Sequence, residues 1–168
     1  MAKVQTTTYK VKLGKAAERY IDALGQLFEM VGGSLKFKRY VATLKEEIET
    51  KVYTESGAIR DAIGELKAAI AERDKAAAAA NMPPTNTDKV LEARDKYEKV
   101  RAEVYEKEIE LKSPKILVSD LPEEETLTHQ YSFPYFDPVT GQQAHKHGDY
   151  VTLVAAIWSD LIEENNGN

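Results

Sequence analysis

The three histidines of the chain lie in its C-terminal third, and their type and spacing are the strongest indication of chemistry in the sequence. His145 and His147 are two positions apart, so on a β-strand both side chains would point to the same side of the sheet. His129 and Asp149 can complete a set of nitrogen and oxygen ligands suited to zinc or iron. One interpretation is a small metal-dependent enzyme. The other is a polar loop before a helix that Asp149 caps.

No other catalytic signature occurs in the sequence. Because the chain has no cysteine, disulfides, thiol nucleophiles and the common structural zinc sites are excluded. Glycine-rich phosphate loops and the G-x-S-x-G elbow are also missing. The many carboxylates occur in charged helical segments, where they usually form a solvated surface. We therefore expect a protein that is not an enzyme and that uses no cofactor.

Two apolar stripes with steps of three and four residues dominate the middle of the chain, and Pro83 and Pro84 separate them. Such steps place side chains along one face of a helix, and two helices joined by a short turn pack antiparallel. We expect a long helical hairpin with arms over about 35–80 and 86–110. The first stripe is Phe37, Val41, Leu44, Ile48, Val52, Ile59, Ile63, Leu66 and Ile70, and the second is Val90, Ala93, Tyr97, Val100, Val104 and Leu111.

Local signals predict where these helices begin and bend. Ser34 follows a Gly-Gly pair and is placed to cap the first arm. Gly57 coincides with a gap in the first stripe, so a bend or break is expected over residues 54–57. Thr85 and Asp88 supply capping groups for the second arm.

The segments flanking the hairpin predict a mainly α fold with a minor β component. Residues 4–13 alternate like a strand, residues 15–31 follow a helical template, and residues 115–118 have strand composition and could pair with the first strand. We therefore expect a helical-hairpin domain over 1–122, with the small β element at its base. Residues 123–168 would form an acidic extension in which an aromatic β-turn precedes a terminal amphipathic helix.

Charge is unevenly distributed along the chain, whose net charge is -5. Residues 1–45 carry nine Lys or Arg against three acids, whereas residues 119–168 carry one against nine. The two ends could steer a partner or a second copy, or they could fold together and neutralise each other. An isoelectric point near 5.3 argues against nucleic acid as a partner. The N-terminus has no signal-peptide core and no stretch is long enough to span a membrane, so a soluble, cytoplasmic protein is expected.

The order of elements resembles small accessory proteins of bacteriophages and prophages. The likeness covers about residues 15–122 and rests on "LKFKRYVATLKEEIE" in the first arm and "VLEARDKYEKVRAEVYEKEIELKSPKILVSDLP" from the second. It implies an intracellular protein, in the host cytoplasm or the virion, that works through binding.

The sequence favours a non-enzymatic protein-protein interaction module that binds a host or defence protein. The first alternative is a virion structural or assembly component that self-associates head to tail, and the second is the metal-dependent enzyme described above. Partner contact is expected at the basic base of the hairpin and in the aromatic tail. The candidate residues are Lys36, Lys38, Arg39, Tyr131, Tyr135 and Trp158.

Overall fold

The computed structural model of the chain is mainly helical with minor β structure, as predicted. It describes residues 8–29, 34–122, 130–136, 141 and 143–164, with the backbone alone for 130–136 and 143–150. Within these ranges, no helix combines the length and the apolar character needed to cross a bilayer. The helices are α1 (Leu13–Lys15), α2 (Ile21–Glu29), α3 (Leu35–Glu55), α4 (Gly57–Ala79), α5 (Asp88–Tyr105) and α6 (Tyr150–Leu161), and the strands are β1 (Tyr9–Lys12), β2 (Glu108–Leu111), β3 (Ile116–Leu117), β4 (Gln130–Phe136), β5 (Gln143–Asp149) and β6 (Ile162–Glu163).

The N-terminal helical run lies at the centre of the core. A π-helical turn over Ala16–Tyr20 joins α1 to α2, so the run extends from Leu13 to Glu29. Its inward face is fully or almost fully buried because apolar residues recur at three- and four-residue steps. The buried members are Leu13, Ala16, Tyr20, Ala23, Leu24 and Leu27.

Helix α3 begins where the sequence predicts, since the Ser34 hydroxyl accepts a hydrogen bond from the Phe37 N–H at 3.1 Å. Its stripe of Phe37, Val41, Leu44 and Ile48 is completely buried. These side chains belong to the core cluster that α2 forms, and α3 packs mainly on α2. The expectation that this half of the first stripe packs inside the hairpin is therefore wrong.

The break predicted near Gly57 is confirmed at Ser56, which separates α3 from α4. Arg60 bridges the break, since its guanidinium donates to the Tyr53 carbonyl at 2.5 Å and lies 3.9 Å from the centre of the Tyr53 ring. This contact supplies a donor for a carbonyl near the end of α3.

The antiparallel hairpin consists of α4 and α5, so it is shorter than the sequence predicts. Its second arm is capped by Thr87, whose hydroxyl accepts from the Val90 N–H at 3.4 Å, instead of by Thr85. Lys96 pairs with Glu65 at 2.6 Å across the two helices. Exposed pairs of this kind contribute little, so the narrow apolar seam provides most of the cohesion.

Residues 108–111 form a strand, although the stripe that includes Leu111 predicts a helix. In β2, Ile109 and Leu111 are buried and alternate with exposed glutamates. Strand β1 pairs antiparallel with β2, from Tyr9 opposite Leu111 to Lys12 opposite Glu108. The expected pairing of β1 with residues 115–118 is therefore wrong, because β3 pairs in parallel with β6 at the other end of the chain.

The C-terminal segments of the chain return to the core. Strands β4 and β5 pair antiparallel, with Gln130 opposite Asp149 and Phe136 opposite Gln143. Helix α6 packs on α2, and its buried residues join the same cluster. Those residues are Val154, Ile157 and Leu161, followed by Ile162 in β6.

Basic and acidic ends of the chain meet within one molecule. Lys36 pairs with Asp120 at 2.7 Å, and Lys15 pairs with Asp160 at 3.5 Å. The Tyr20 hydroxyl also donates to Asp160. Burial and this hydrogen bond raise the pKa of Tyr20 above its ordinary value. Part of the charge separation along the sequence is thus neutralised inside the fold.

Two glycines give a prediction about stability with a built-in comparison. Gly64 lies in α4, and a Cβ added there would meet nothing within 4 Å. Gly64→Ala should therefore raise the free energy of unfolding by about 0.5–1 kcal/mol. At Gly14, by contrast, an added Cβ would lie 3.0 Å from the Tyr105 Cβ, so Gly14→Ala should lower it. Urea denaturation measures both, and a gain in stability for Gly14→Ala would contradict the close packing.

Candidate interaction groove at the start of α3

Residues at the start of α3 form one wall of an open groove. Lys36, Arg39, Tyr40 and Thr43 occupy positions i, i+3, i+4 and i+7 of α3, which places them on one helix face. Pro114, from the segment between β2 and β3, lies opposite. The groove has a volume of about 510 Å³ and is lined by Leu35, Lys36, Arg39, Tyr40, Thr43 and Pro114. We call it the α3 groove.

Lys36 is held by an acidic residue beside the groove. Its Nζ lies 2.7 Å from Oδ1 of Asp120 and 5.7 Å from the centre of the Tyr40 ring. The hydrogen bond to Asp120 raises the pKa of Lys36, so the amine stays protonated at neutral pH. The side chain of Asp120 is 9% exposed, and its second carboxylate oxygen has no hydrogen-bond partner among the described residues. The pair therefore leaves Lys36 with its charge already compensated.

Arg39 is the uncompensated charge of the α3 groove. Its side chain is exposed, and its guanidinium has no ion pair among the residues that the structure describes. Leu35, four positions before it, is 77% exposed. Within the described part of the chain, a guanidinium without an ion pair thus lies close to a largely exposed apolar side chain.

Glu47 anchors the wall that faces α3. Its two carboxylate oxygens accept hydrogen bonds from the backbone N–H groups of Lys112, at 2.7 Å, and Ser113, at 2.8 Å. Burial alone would raise the pKa of Glu47, but the hydrogen bonds from Ser113 and Lys112 outweigh it and hold the pKa below its ordinary value. Glu47 therefore positions Pro114, the next residue along.

Stability should depend on pH through Glu47. Because its folded-state pKa is lowered, its contribution is complete above the unfolded pKa of about 4.3 and is lost as pH falls through the folded value. We expect Glu47→Gln to be less stable than the native chain at pH 7, with the difference shrinking at lower pH. Urea midpoints from pH 3 to pH 7 measure this, and Glu46→Gln on the exposed face of α3 is the control. A difference that stays constant with pH would contradict the anchoring role.

Tyr9 lies close to this anchor. Its ring is partly buried in β1, its hydroxyl has no hydrogen-bond partner among the described residues, and Lys115 Nζ lies 4.9 Å from the ring centre. Burial, followed by the charge of Glu47, raises the pKa of Tyr9. The hydroxyl is therefore neutral at physiological pH, and Tyr9 is not among the described residues that line the groove.

The predicted partner-binding residues divide between four places. Lys36 and Arg39 line the α3 groove, whereas Lys38 lies over the half-exposed ring of Phe28, 6.0 Å from its centre. Trp158 is 40% exposed on α6 and is not among the described residues that line the groove. Tyr131 and Tyr135 lie in β4, and their side chains are outside the described residues. The structure therefore brings together two of the six.

The predicted metal ligands fall on the part of the chain whose side chains are not described. His129 lies outside the described residues altogether, and His145, His147 and Asp149 are placed by backbone alone in β5. Among the residues with described side chains, no group of three or more His, Asp or Glu could hold a metal ion. The metal site remains a prediction, which metal analysis of untagged protein would test.

Sequence reasoning missed the residues that complete the groove. Pro114 and Asp120 lie in a segment with the features of a strand and a linker, and Glu47 is one of many acids on a charged helix. Their roles depend on contacts across 84 and 66 positions of sequence, which no local pattern encodes. The sequence feature that could have indicated the groove is the alternation of apolar and cationic residues over 35–40.

The groove is suited to binding and lacks a described acid-base pair. The Thr43 hydroxyl donates to the Arg39 carbonyl at 2.9 Å, so it is engaged with its own helix. Lys36 and Arg39 are both cationic at neutral pH, and neither can act as a base there. Comparison of the chain with protein-family models, with curated proteins and with solved structures finds no match.

Proposed function

We propose that this protein is a non-enzymatic protein-interaction module and that the α3 groove is its binding site. The observation that carries the proposal is that one groove is lined both by an exposed leucine, Leu35, and by Arg39, whose guanidinium has no ion pair among the described residues. Hydrophobic burial would supply affinity at Leu35, and charge pairing at Arg39 would supply orientation and speed of encounter.

The dimensions of the groove support the same proposal. A volume of about 510 Å³ can accept one or two side chains of a partner. Its walls are set before binding, since Ser34 caps α3 and Glu47 anchors the facing segment. A preformed site loses less conformational entropy when it binds.

We extend the proposal to the class of partner. The pattern of the two helical arms supports an accessory protein of phage or prophage origin, which acts in the host cytoplasm on a host or defence protein. The bound partner would then be a larger protein, and the module would act by occupying a surface.

Affinity capture with matched variants tests the proposal. Leu35→Asp combined with Arg39→Glu changes two exposed groove residues, and Leu91→Asp combined with Arg94→Glu makes the same chemical changes on the exposed face of α5. We expect mass spectrometry to find a partner that the native chain and the α5 variant retain and that the groove variant loses at least tenfold. A partner retained equally by the groove variant, or no specific partner, would contradict the proposal.

Head-to-tail assembly in a virion is less well supported. The pairs of Lys36 with Asp120 and of Lys15 with Asp160 use charges from both ends within one chain. Light scattering after size exclusion, at low and at high salt, distinguishes head-to-tail assembly from the interaction module. A salt-sensitive oligomer would favour assembly over the interaction module.

A further inference from the structure

Resting on the proposed function, we infer that the α3 groove binds a short acidic peptide segment of a partner protein, with one apolar side chain of the peptide in the groove. A carboxylate of the peptide pairs with Arg39, while Lys36 keeps its pair with Asp120. The apolar side chain packs among Leu35, Tyr40 and Pro114. Each part of this ligand follows from a separate feature of the walls.

The charges of the groove select an anion. Its described lining contains two cations and no carboxylate, although the whole chain has a net charge of -5. The nearby acid Asp120 compensates Lys36, so the net positive charge of the described lining is that of Arg39. Lys112, on the facing segment, is exposed and has no ion pair among the described residues. The groove is thus a locally cationic region on an acidic protein, which steers acidic ligands toward it.

The planar geometry of the Arg39 guanidinium favours a carboxylate as its partner. A guanidinium presents parallel N–H groups that match the two oxygens of a carboxylate, and such bidentate bonds are among the stronger protein hydrogen bonds. Arg39 has its guanidinium free for this contact among the described residues. An Asp or Glu side chain of a peptide therefore fits this position.

The apolar lining requires an apolar side chain next to the acid. Leu35 is 77% exposed, and it borders the same space as the Tyr40 ring and Pro114. Covering these surfaces would yield about 25 cal/mol for each Å² removed from water. A purely charged ligand would leave this surface wet, so an acidic segment with an embedded aliphatic or aromatic residue fits better.

The same features disfavour a nucleic acid. Polynucleotides bind along stripes of Lys and Arg that release many counterions, and domains that bind them are usually basic. This chain has an isoelectric point near 5.3, and the groove offers two lining cations.

Selection from a random peptide library on the full-length chain tests the inference. We expect enriched sequences to place Asp or Glu next to Leu, Ile, Phe or Trp. Fluorescence anisotropy with a labelled enriched peptide should show roughly tenfold weaker binding to Arg39→Glu, a smaller loss for Arg39→Lys and no change for Arg94→Glu. Circular dichroism confirms that each variant is folded, and added salt should weaken binding.

Several outcomes would overturn the inference. These are no enriched peptide, enriched peptides that lack acids, an affinity that Arg39→Glu leaves unchanged, and tighter binding of an oligothymidine than of any peptide. If the enriched peptides lack acids and Leu35→Asp abolishes their binding, the inference of an acidic ligand is wrong but the proposed function stands. Loss of the proposed function would instead show in the capture experiment, as a partner that the groove variant retains.

Discussion

A chain that ends at Pro122 should fail to fold into a soluble domain. Removing residues 123–168 deletes α6 and β6, and with them Val154, Ile157, Leu161 and Ile162, which belong to the core cluster. Burial of each large apolar side chain is worth about 1.5–3 kcal/mol, so the combined loss approaches the whole stability of an ordinary domain. We expect aggregation in size exclusion and loss of a cooperative thermal transition.

Single substitutions in α6 separate this loss from a general effect of truncation. Ile157 is fully buried, so Ile157→Ala should lower the free energy of unfolding by about 2–5 kcal/mol. Val151 lies on the same helix and is 50% exposed, so Val151→Ala should lower it by less than about 1 kcal/mol. A soluble, cooperatively unfolding 1–122 fragment would contradict this account. It would then support the division of the chain at residue 122 into a domain and an extension.

Phe37→Ala should be among the most destabilising single substitutions. The ring is completely buried among residues of α2 and α3, and a large-to-small change there leaves a cavity that costs about 3–5 kcal/mol. Phe28, on α2, is 43% exposed, and its replacement by alanine should cost roughly 1 kcal/mol. Urea denaturation of both variants measures the contrast.

The contrast between Phe37 and Phe28 also tests whether Phe37 belongs to the core or to a binding surface. Phe37 follows Lys36 in the sequence, and interleaved basic and aromatic residues can indicate a binding surface. If Phe37→Ala were no more destabilising than Phe28→Ala, the assignment of Phe37 to the core would be wrong. Phe37 would then be a candidate member of the binding surface at the α3 groove.

The helical part of the fold was predictable because it depends on local patterns. Ser34 caps α3 as expected, since an N-cap needs only a hydroxyl and the N–H three residues later. The break at Ser56 was predictable because Gly57 and the gap in the apolar stripe coincide.

Strand pairing was harder to predict because it depends on distant partners. Leu111 satisfies both the seven-residue step of a helix and the two-residue alternation with Ile109 in β2. Over four residues the two periods cannot be distinguished, and pairing with β1 decides between them. In the same way, β3 pairs with β6, 46 positions away, and nothing near Ile116 indicates that partner.

The candidate site was half predictable for the same reason. Lys36 and Arg39 belong to a local cluster of basic residues that the sequence shows directly. The facing wall requires Glu47 to hold the Ser113 N–H, and the pairing of Lys36 requires Asp120. These are tertiary contacts, so a cluster of basic residues became a groove only in the folded chain.

The most direct test of the central claim is hydrogen exchange of the full chain with and without the captured partner. We expect the partner to slow exchange in the first turns of α3, over residues 35–43, and in the facing segment, over residues 112–115. Exchange in the α4–α5 hairpin, over residues 63–75 and 90–100, should stay unchanged. Protection of the hairpin with no change at the start of α3 would contradict the claim that the α3 groove is the binding site.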